Sequence, residues 1–180
     1  MFPDGWKLHG MKQDVQSITR DWQFVHQTLI SGVQVKPVSN VPTGYGHLCE
    51  VMRMDWKLDA TGVDQVFFSA FDAGGVSGWH AHALTTDRLF VAQGRMEIVL
   101  FDSRQESPTH GEVNRFRLGT ARPALVSVPP GIWHAVRNGG GQPAVLINIV
   151  DRAYQYEQPD HYRLPLETDQ IPFRFEASRD

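Results

Sequence analysis

The chain has 180 residues, a formal net charge of −3 at pH 7 and a hydrophobic share of 41%. This length suits one compact domain with a buried core, and the slight negative charge argues against a nucleic-acid polymer as partner. No apolar run approaches the roughly 20 residues that span a membrane, and the first residues lack the pattern of a signal peptide. A single cysteine, Cys49, cannot form an internal disulfide. We therefore expect a cytoplasmic protein with no membrane span.

An amphipathic helix is predicted near the N terminus. Apolar residues recur there at steps of three and four, and the pattern stops at Gly32, which is typical of a helix with one packed face. The residues of this stripe are Val15, Ile18, Trp22, Val25 and Leu29. Nothing on the helix suggests chemistry, so residues 1–32 are expected to form an extension that covers the domain or a partner subunit.

From Val33 onward the pattern is that of β-strands. Short alternating or apolar runs are separated by turn segments such as PTGYG, DAGGVSG, PPG and NGGGQP, and this regular spacing indicates a sandwich or barrel. Residues 33–152 are the predicted barrel, and residues 153–180 are a predicted irregular tail packed on it. The predicted strands are Val33–Val38, His47–Trp56, Val63–Asp72, Arg88–Phe101, Glu112–Leu118, Ala124–Val128, His134–Arg137 and Ala144–Val150.

Two short motifs contain the side chains best suited to bind a metal. They are GGVSGWHAHALTTDRLFVAQG and PPGIWHAVRN. Successive side chains of a strand alternate between its faces, so His80 and His82 of the first motif point the same way. These two imidazoles, with His134 from the second motif and the carboxylate of Asp87, form a donor set for one divalent ion. The alternative is a pair of strand histidines that bind no metal.

The two motifs resemble those of the cupin superfamily, in which two His, a carboxylate and a distant third His meet at one metal. The resemblance implies an all-β double-stranded β-helix, the cupin jelly-roll barrel. It also implies a metal site formed by His80, His82, Asp87 and His134, with Asp87 standing where the motif usually has Glu. The identity of the divalent ion stays open among iron, manganese, nickel, zinc and copper.

A longer resemblance covers about Val33–Phe173. The segments DSRQESPTHGEVNRFRLG, LVSVPPGIWHAV and PDHYRLPLETDQIPF are similar to the dTDP-4-dehydrorhamnose 3,5-epimerase family of cupins. This resemblance implies that His80 is a catalytic base and that His134 is the histidine of the family's PPGxxH segment. The segment GYGHLCE implies that Glu50 helps to bind the nucleotide across a homodimer. An N-terminal edge strand, GVQVKPV, is expected to be lent to the partner.

Several positions depart from that family. Ser77 stands where the family has Arg, Asp87 where it has Lys, and Ile147 where it has the Tyr that acts as general acid. His82 follows the catalytic base where the family has Gln. A lost cation and a gained anion place negative charge where a divalent ion would need it. The chain therefore resembles an epimerase scaffold refitted as a metal cupin.

Three polar strand residues complete the candidate site. Glu97 is the best spare carboxylate to act as a catalytic proton carrier, Asn148 is a candidate to face the barrel interior, and Arg88 is a candidate to pair with an acidic substrate group. The alternative for each is a solvated strand side chain. The tyrosines of the tail are a further source of a proton donor. The other histidines lack comparable spacing and are interpreted as surface or structural residues: His9, His26, His47, His110 and His161.

Three functions follow from these patterns. The first is an isomerase or epimerase of a small molecule, a nucleotide-linked keto sugar or similar hydroxy-ketone, in which the metal polarises the carbonyl. The second is an iron- or manganese-dependent cupin dioxygenase, and the third is a non-catalytic sugar-binding cupin. The long resemblance favours the first, whereas the metal motif with the lost Tyr favours the second. The fold alone does not choose among them.

Overall fold

The computed structural model describes residues 4–13, 16, 20 and 28–175. Over these residues the only helical pieces are two short 3-10 segments, Asp4–Trp6 and Met54–Trp56, and no helix is long or apolar enough to cross a membrane. The strands, in chain order, are β1 (Gln34–Pro37), β2 (Asn40–Thr43), β3 (Gly46–Cys49), β4 (Gln65–Phe71), β5 (Val76–Ala81), β6 (Asp87–Gln93), β7 (Arg95–Asp102), β8 (Val113–Gly119), β9 (Ala124–Val128), β10 (Ile132–Asn138), β11 (Ala144–Val150) and β12 (Tyr162–Arg163).

Ten of these strands form two five-stranded antiparallel sheets. The first sheet has the order β1-β9-β6-β11-β4 and the second has the order β12-β5-β10-β7-β8, while β2 and β3 form a separate hairpin. From β4 to β12 the chain changes sheet at nearly every step, and only β7 and β8 are consecutive strands of one sheet. Two antiparallel sheets wound together in this way form a jelly roll, so the predicted all-β fold class is confirmed for the described residues.

The apolar core lies between the two sheets. On β7, Met96, Ile98 and Leu100 face this core and are at most 1% exposed, as the period-2 alternation of a strand requires. Leu89 and Leu146 lie at the boundary of this core, because they pack in it and also line a cavity. One end of the barrel is therefore packed with aliphatic side chains, and the other end is open to a ligand.

The outer face of the second sheet carries a smaller apolar cluster. Trp79, Val99 and Phe101 pack there against Ile171 of the C-terminal segment (residues 151–175). The ring of Phe173 meets that of Trp79 edge to face at 6.2 Å, a favourable aromatic geometry. This cluster holds the C-terminal segment against β5, the strand that carries His80.

Most predicted strands are confirmed, with boundaries shifted by a residue or two. The run Arg88–Phe101 is two strands, because Gly94 turns the chain at φ 80° and a Cβ there would lie 2.7 Å from the Cβ of Ala144. The predicted strand His47–Trp56 is wrong beyond Cys49, where a loop leads into the second 3-10 segment. Strands β2, β5 and β12 are absent from the predicted strands, and β5 begins within the segment DAGGVSG, for which the sequence predicts a turn.

The N-terminal helix remains a prediction. Val15, Ile18, Trp22 and Val25 lie outside the residues that the structure describes. Leu29, the last residue of the predicted stripe, is 40% exposed and lies in irregular chain. The GVQVKPV segment forms β1, which pairs with β9 of the same chain at the edge of the first sheet.

Candidate metal centre

The two sheets bring three histidines and one aspartate to one point in the interior. His80 lies on β5, His82 lies just beyond it and His134 lies on β10, all in the second sheet, whereas Asp87 begins β6 in the first. Each of the four offers a ligand atom, and these atoms all lie within 4.8 Å of one another. The structure therefore places together the four residues that the motifs selected.

A β-bulge sets the spacing of residues on β5. His80 lies opposite His134 of β10. Ser77 lies opposite Val136, so two residues of β5 stand against one of β10 between these pairs. Because a bulge shifts the alternation by one residue, Ser77 and His80 line the same cavity although they are three positions apart.

Backbone carbonyls orient the three imidazoles. Nδ1 of His80 donates to Gly78 O at 3.1 Å, and Nδ1 of His134 donates to Ile132 O at 3.1 Å. Nδ1 of His82 donates to the backbone carbonyl of Asp160. A carbonyl oxygen only accepts, so each Nδ1 carries the proton and each Nε2 presents a lone pair. This is the arrangement by which proteins orient metal-binding histidines.

Asp87 connects the histidines across the two sheets. Its Oδ2 lies 3.1 Å from Nε2 of His82 and 3.0 Å from Nε2 of His134. Its other oxygen, Oδ1, accepts a hydrogen bond of 2.9 Å from Nδ2 of Asn148. Asn148 thus lies in the interior, as predicted, and its contact holds Asp87 Oδ2 toward the imidazoles.

A bound cation would satisfy the donor atoms better than hydrogen bonds within the cluster do. Asp87 Oδ2 and His134 Nε2 are buried and in contact, yet neither has a hydrogen-bond partner. Buried polar atoms without partners are costly, and a buried carboxylate is more so. Three imidazole nitrogens and one carboxylate oxygen suit a first-row transition metal, and one such ion would satisfy all of these atoms.

Electrostatics at the cluster also favour one bound positive charge. Burial would raise the pKa of the Asp87 carboxyl, but contact with His134 and His82 outweighs it, so the pKa is lowered and the group is ionised. Burial, with His134 close by, lowers the pKa of His80 to about 2, which leaves its imidazole neutral. Burial opposes protonation of His82, but Asp87 raises its pKa. The carboxylate therefore attracts either a proton or a metal ion.

The cluster lies at the floor of a cavity of about 470 Å³. A cavity of that size is within the range of small-molecule sites. Its walls combine aromatic side chains of β4 with polar and cationic side chains of the C-terminal segment. The lining outside the cluster includes Phe67, Ser69, Phe71, Ser77, Asn148, Arg152, Tyr154, His161 and Arg163.

Glu97 does not belong to this cavity, so its assignment as a catalytic proton carrier is wrong. Met96 and Ile98 face the core, and alternation turns Glu97 to the outer face of the second sheet. There it is 3% exposed and pairs with Arg115, Arg117 and Arg137. The turn at Gly94, just before β7, determines which residues of β7 face inward.

The predicted substrate contacts Arg88 and Glu50 also lie away from the cavity. Arg88 follows the inward-facing Asp87, so it points outward, where it is 0% exposed and binds Asp59 with Nε–Oδ2 of 2.8 Å. Its assignment as a substrate contact is therefore wrong. Glu50 lies outside the cavity of its own chain, on the surface after β3, and pairs with Arg53 at 3.2 Å.

His161 was interpreted from its spacing as a surface or structural residue, but it lines the cavity. Its ring centroid lies 4.9 Å from those of both His80 and His82, and its Nε2 is buried without a hydrogen-bond partner. Burial and the nearby His82 lower its pKa to about 4. No sequence signal located it, because only the pairing of β12 with β5 brings it to the cluster.

Ile147, where the family resemblance places the general-acid Tyr, does not line the cavity. On β11 the residues that line the cavity are Leu146, Asn148 and Val150, so Ile147 faces the other side of the sheet. The loss of a Tyr at Ile147 therefore leaves no gap in the cavity wall. Tyr154 of the C-terminal segment lines the cavity instead.

Solved structures with the same fold are sugar isomerases and epimerases. A dTDP sugar isomerase from Desulfovibrio desulfuricans G20 superposes with a TM-score of 0.75 at 27% identity, covering 80% of this chain and 90% of that one. A dTDP-4-dehydrorhamnose 3,5-epimerase from Elizabethkingia anophelis superposes with a TM-score of 0.71 at 17% identity, covering 86% of each chain. The chain thus shares the jelly-roll fold of these two proteins.

Sequence relatives define the family more narrowly. Residues 43–162 match the model of the polysaccharide biosynthesis C-terminal domain. A probable low-salt glycan biosynthesis epimerase, Agl13, from Haloferax volcanii is 32% identical over 76% of this chain and 88% of the relative. The spore coat polysaccharide biosynthesis protein SpsL from Bacillus subtilis is 30% identical over 82% of this chain and 97% of the relative. The chain belongs to the polysaccharide biosynthesis C-terminal domain family.

Proposed function

We propose that this protein is a metal-dependent epimerase or isomerase of a nucleotide-linked keto sugar, acting in the synthesis of a polysaccharide or glycan. The observation that carries the proposal is the cluster of three histidines and one aspartate at the floor of the cavity. Its setting supports the same function, because relatives of this chain are named as a glycan biosynthesis epimerase and a dTDP sugar isomerase.

The residues that would hold the metal are His80, His82, Asp87 and His134. A divalent ion bound there would supply Lewis-acid polarisation of the substrate carbonyl, which makes the hydrogen on the adjacent carbon acidic. The protein contributes the orientation of the donor atoms. Backbone carbonyls direct the three Nε2 atoms inward, and Asn148 directs Oδ2 of Asp87.

The cavity walls suit a sugar linked to a phosphate group. Phe67 and Phe71 offer apolar surface beside the cluster, against which a sugar ring can pack. Arg163, which lies opposite His80 on the neighbouring strand, and Arg152 add positive charge to the same cavity. Guanidinium groups bind phosphate oxygens well, and these two arginines would take over from the family Arg replaced by Ser77.

Proton transfer needs a group inside the cavity, and Glu97 is not there. His161 and Tyr154 line the cavity beside the cluster, and we assign to them the role that the sequence suggested for Glu97. His161 lies beside the cluster, with its ring centroid 4.9 Å from those of His80 and His82. A positioned proton carrier of this kind contributes about 10²–10⁴-fold to a rate.

One observation favours the second candidate, a metal-dependent dioxygenase. Three imidazoles and a carboxylate are also a donor set that suits redox-active iron or manganese, with coordination positions left for substrate and O₂. The two functions differ in what they consume, because epimerisation needs no oxidant.

Isotope exchange separates the two functions. The protein would be incubated with a 4-keto-6-deoxy nucleotide sugar in deuterated water, with an oxygen electrode in the same vessel. We expect deuterium to enter the substrate beside the carbonyl without O₂ uptake, under air and under argon alike. A matched control is His110→Ala, an exposed histidine outside the cavity, which should exchange at the wild-type rate. Oxygen uptake without exchange would establish the dioxygenase. The absence of both signals would favour a sugar-binding cupin.

We also propose that the protein is a homodimer. Strand β4 is an edge of the first sheet, and its outward side chains Val66 and Phe68 are 59% and 70% exposed. An open strand edge with exposed apolar side chains is a surface that proteins normally cover, and a two-fold dimer is the commonest way to do so.

Substitution at Phe68 tests this assembly. We expect sedimentation equilibrium at micromolar concentration to give a dimer for the wild type and a monomer for Phe68→Glu, because a charge would be buried at the contact. The control Gln105→Glu adds the same charge at an exposed position between β7 and β8, strands of the second sheet, and should stay dimeric. A monomeric wild type would contradict the proposal.

A further inference from the structure

A single carboxylate from the C-terminal segment holds the loop between two of the proposed metal ligands. This loop, Ala83–Thr86, joins His82 to Asp87. Asp160 accepts hydrogen bonds from the backbone N–H groups of three consecutive loop residues, at 2.7 Å from Ala83, 2.8 Å from Leu84 and 2.9 Å from Thr85. The hydroxyl of Thr85 donates a fourth bond of 2.9 Å.

The loop has no strand partner to satisfy these groups. Its last N–H, that of Thr86, donates to Oδ1 of Asp151 at 2.8 Å. All four backbone N–H groups between His82 and Asp87 are therefore bound by side-chain carboxylates, three of them by Asp160. A loop whose donors are fixed in this way has one conformation rather than many.

Asp160 also acts on a ligand directly. Its backbone carbonyl accepts the Nδ1–H of His82, and this bond leaves Nε2 of His82 pointing at Asp87 and His134. The residue itself is held in place because β12, two positions further on, pairs with β5 and Leu164 N donates to Trp79 O at 3.0 Å. Asp160 thus connects the loop between His82 and Asp87 to strands β5 and β12 of the second sheet.

We infer that Asp160 is a positioning residue of the metal centre: its carboxylate fixes the ligand-bearing loop, and its carbonyl fixes the ring of His82. This inference rests on the proposed metal site. Loss of such an outer-shell contact typically lowers metal affinity by about 10–100-fold. The C-terminal segment is then part of the centre, although none of its residues belongs to the proposed ligand set.

The test uses Co²⁺ as the probe, because its visible absorption reports the geometry of its ligands. We expect Asp160→Asn to bind Co²⁺ about 10–100-fold more weakly than the wild type in competition with a chelator, with an altered visible spectrum in the bound form. Thr85→Val removes one of the four bonds and should weaken binding by less than about 10-fold. The control Asp169→Asn makes the same charge change at a fully exposed side chain of the same segment and should behave as the wild type.

Amide hydrogen exchange gives a second readout that does not need the metal. In Asp160→Asn the amides of Ala83, Leu84 and Thr85 should lose protection while those of β10 keep it. Unchanged affinity, or weaker binding with an unchanged spectrum and unchanged loop protection, would overturn the inference. If the wild type binds no Co²⁺ but loop protection falls in Asp160→Asn, then the proposed metal centre is refuted and Asp160 only stabilises the loop conformation.

Discussion

Replacing His134 with alanine is expected to remove the metal from a protein that stays folded, and to remove the activity with it. His134 is the one proposed ligand contributed by β10, and its Nε2 lies 3.0 Å from Asp87 Oδ2. Without it, the donors on β5 and β6 cannot enclose an ion. The affinity should therefore fall by more than the roughly 10–100-fold that follows loss of an outer-shell contact.

The effect on turnover should be as large. Polarisation of a carbonyl by a metal ion is worth several kcal/mol, so kcat/KM should fall by about 10³-fold or more, at roughly 1.4 kcal/mol for each factor of ten. Element analysis of untagged protein measures the metal, and circular dichroism checks the fold. His110→Ala, an exposed histidine outside the cavity, is the matched control. Full metal content in His134→Ala would disprove the ligand set.

A second large effect is expected at the buried ion pair on the outside of the first sheet. Arg88 is 0% exposed, and its guanidinium binds both carboxylate oxygens of Asp59, at 2.8 Å and 2.5 Å. Ser127 Oγ donates to the same carboxylate at 2.7 Å. Asp59→Ala leaves a buried cation without its partner, which typically costs about 3–5 kcal/mol of the free energy of unfolding.

Urea unfolding measures this cost, and its pH dependence supplies a further check. Burial opposes ionisation of Asp59, but hydrogen bonds from Arg88 and Ser127 outweigh it and lower the pKa of the carboxyl. The ionised pair therefore stabilises the fold above the unfolded pKa of about 3.9, and this contribution is lost as the pH falls toward the folded pKa. The difference between wild type and Asp59→Ala should shrink in acid.

A matched control lies four residues earlier in the chain. Asp55 also pairs with an arginine, Arg53, but its side chain is 64% exposed. Asp55→Ala should change the free energy of unfolding by no more than about 1 kcal/mol. An equal effect of the two substitutions would show that burial of Arg88 does not decide the stability.

Three of the four proposed metal ligands could be selected from the sequence because they lie within one short segment. His80 and His82 share one face by simple alternation, and Asp87 follows five residues later in the same motif, at the start of β6 in the other sheet. His134 required the second motif, since its strand is brought beside β5 only by the sheet pairing. Strand alternation paired His80 with His82, and the resemblance to the two cupin motifs added Asp87 and His134, so the sequence selected four residues whose ligand atoms lie within 4.8 Å of one another.

The errors arose where a turn or bulge changes which residues face inward. Glu97 was placed in the cavity although the turn at Gly94 sets Met96 and Ile98 toward the core. Arg88 was placed near substrate although it directly follows the inward-facing Asp87. A bulge has the same kind of effect on β5, where it turns Ser77 into the cavity together with His80. Local propensity does not specify these shifts in register, because cross-strand packing determines them.

The contributions of Asp160 and His161 could not be predicted for a different reason, although the sequence did suggest a tail tyrosine for the cavity. Asp160 and His161 lie in an irregular segment with no periodicity, about 80 residues from the ligands that they contact. Their positions depend on the short pairing of β12 with β5 and on the apolar contacts of Ile171 with the outer face of the sheet. Such long-range contacts leave no pattern in a single sequence.

The central claim is that one divalent ion lies between the two sheets at this cluster. Crystals of untagged protein would be measured at the X-ray absorption edge of the metal found by element analysis. We expect one anomalous peak about 2.0–2.2 Å from Nε2 of His80, His82 and His134 and from a carboxylate oxygen of Asp87. The absence of a peak there in metal-replete crystals, or a peak held by other residues, would contradict the account.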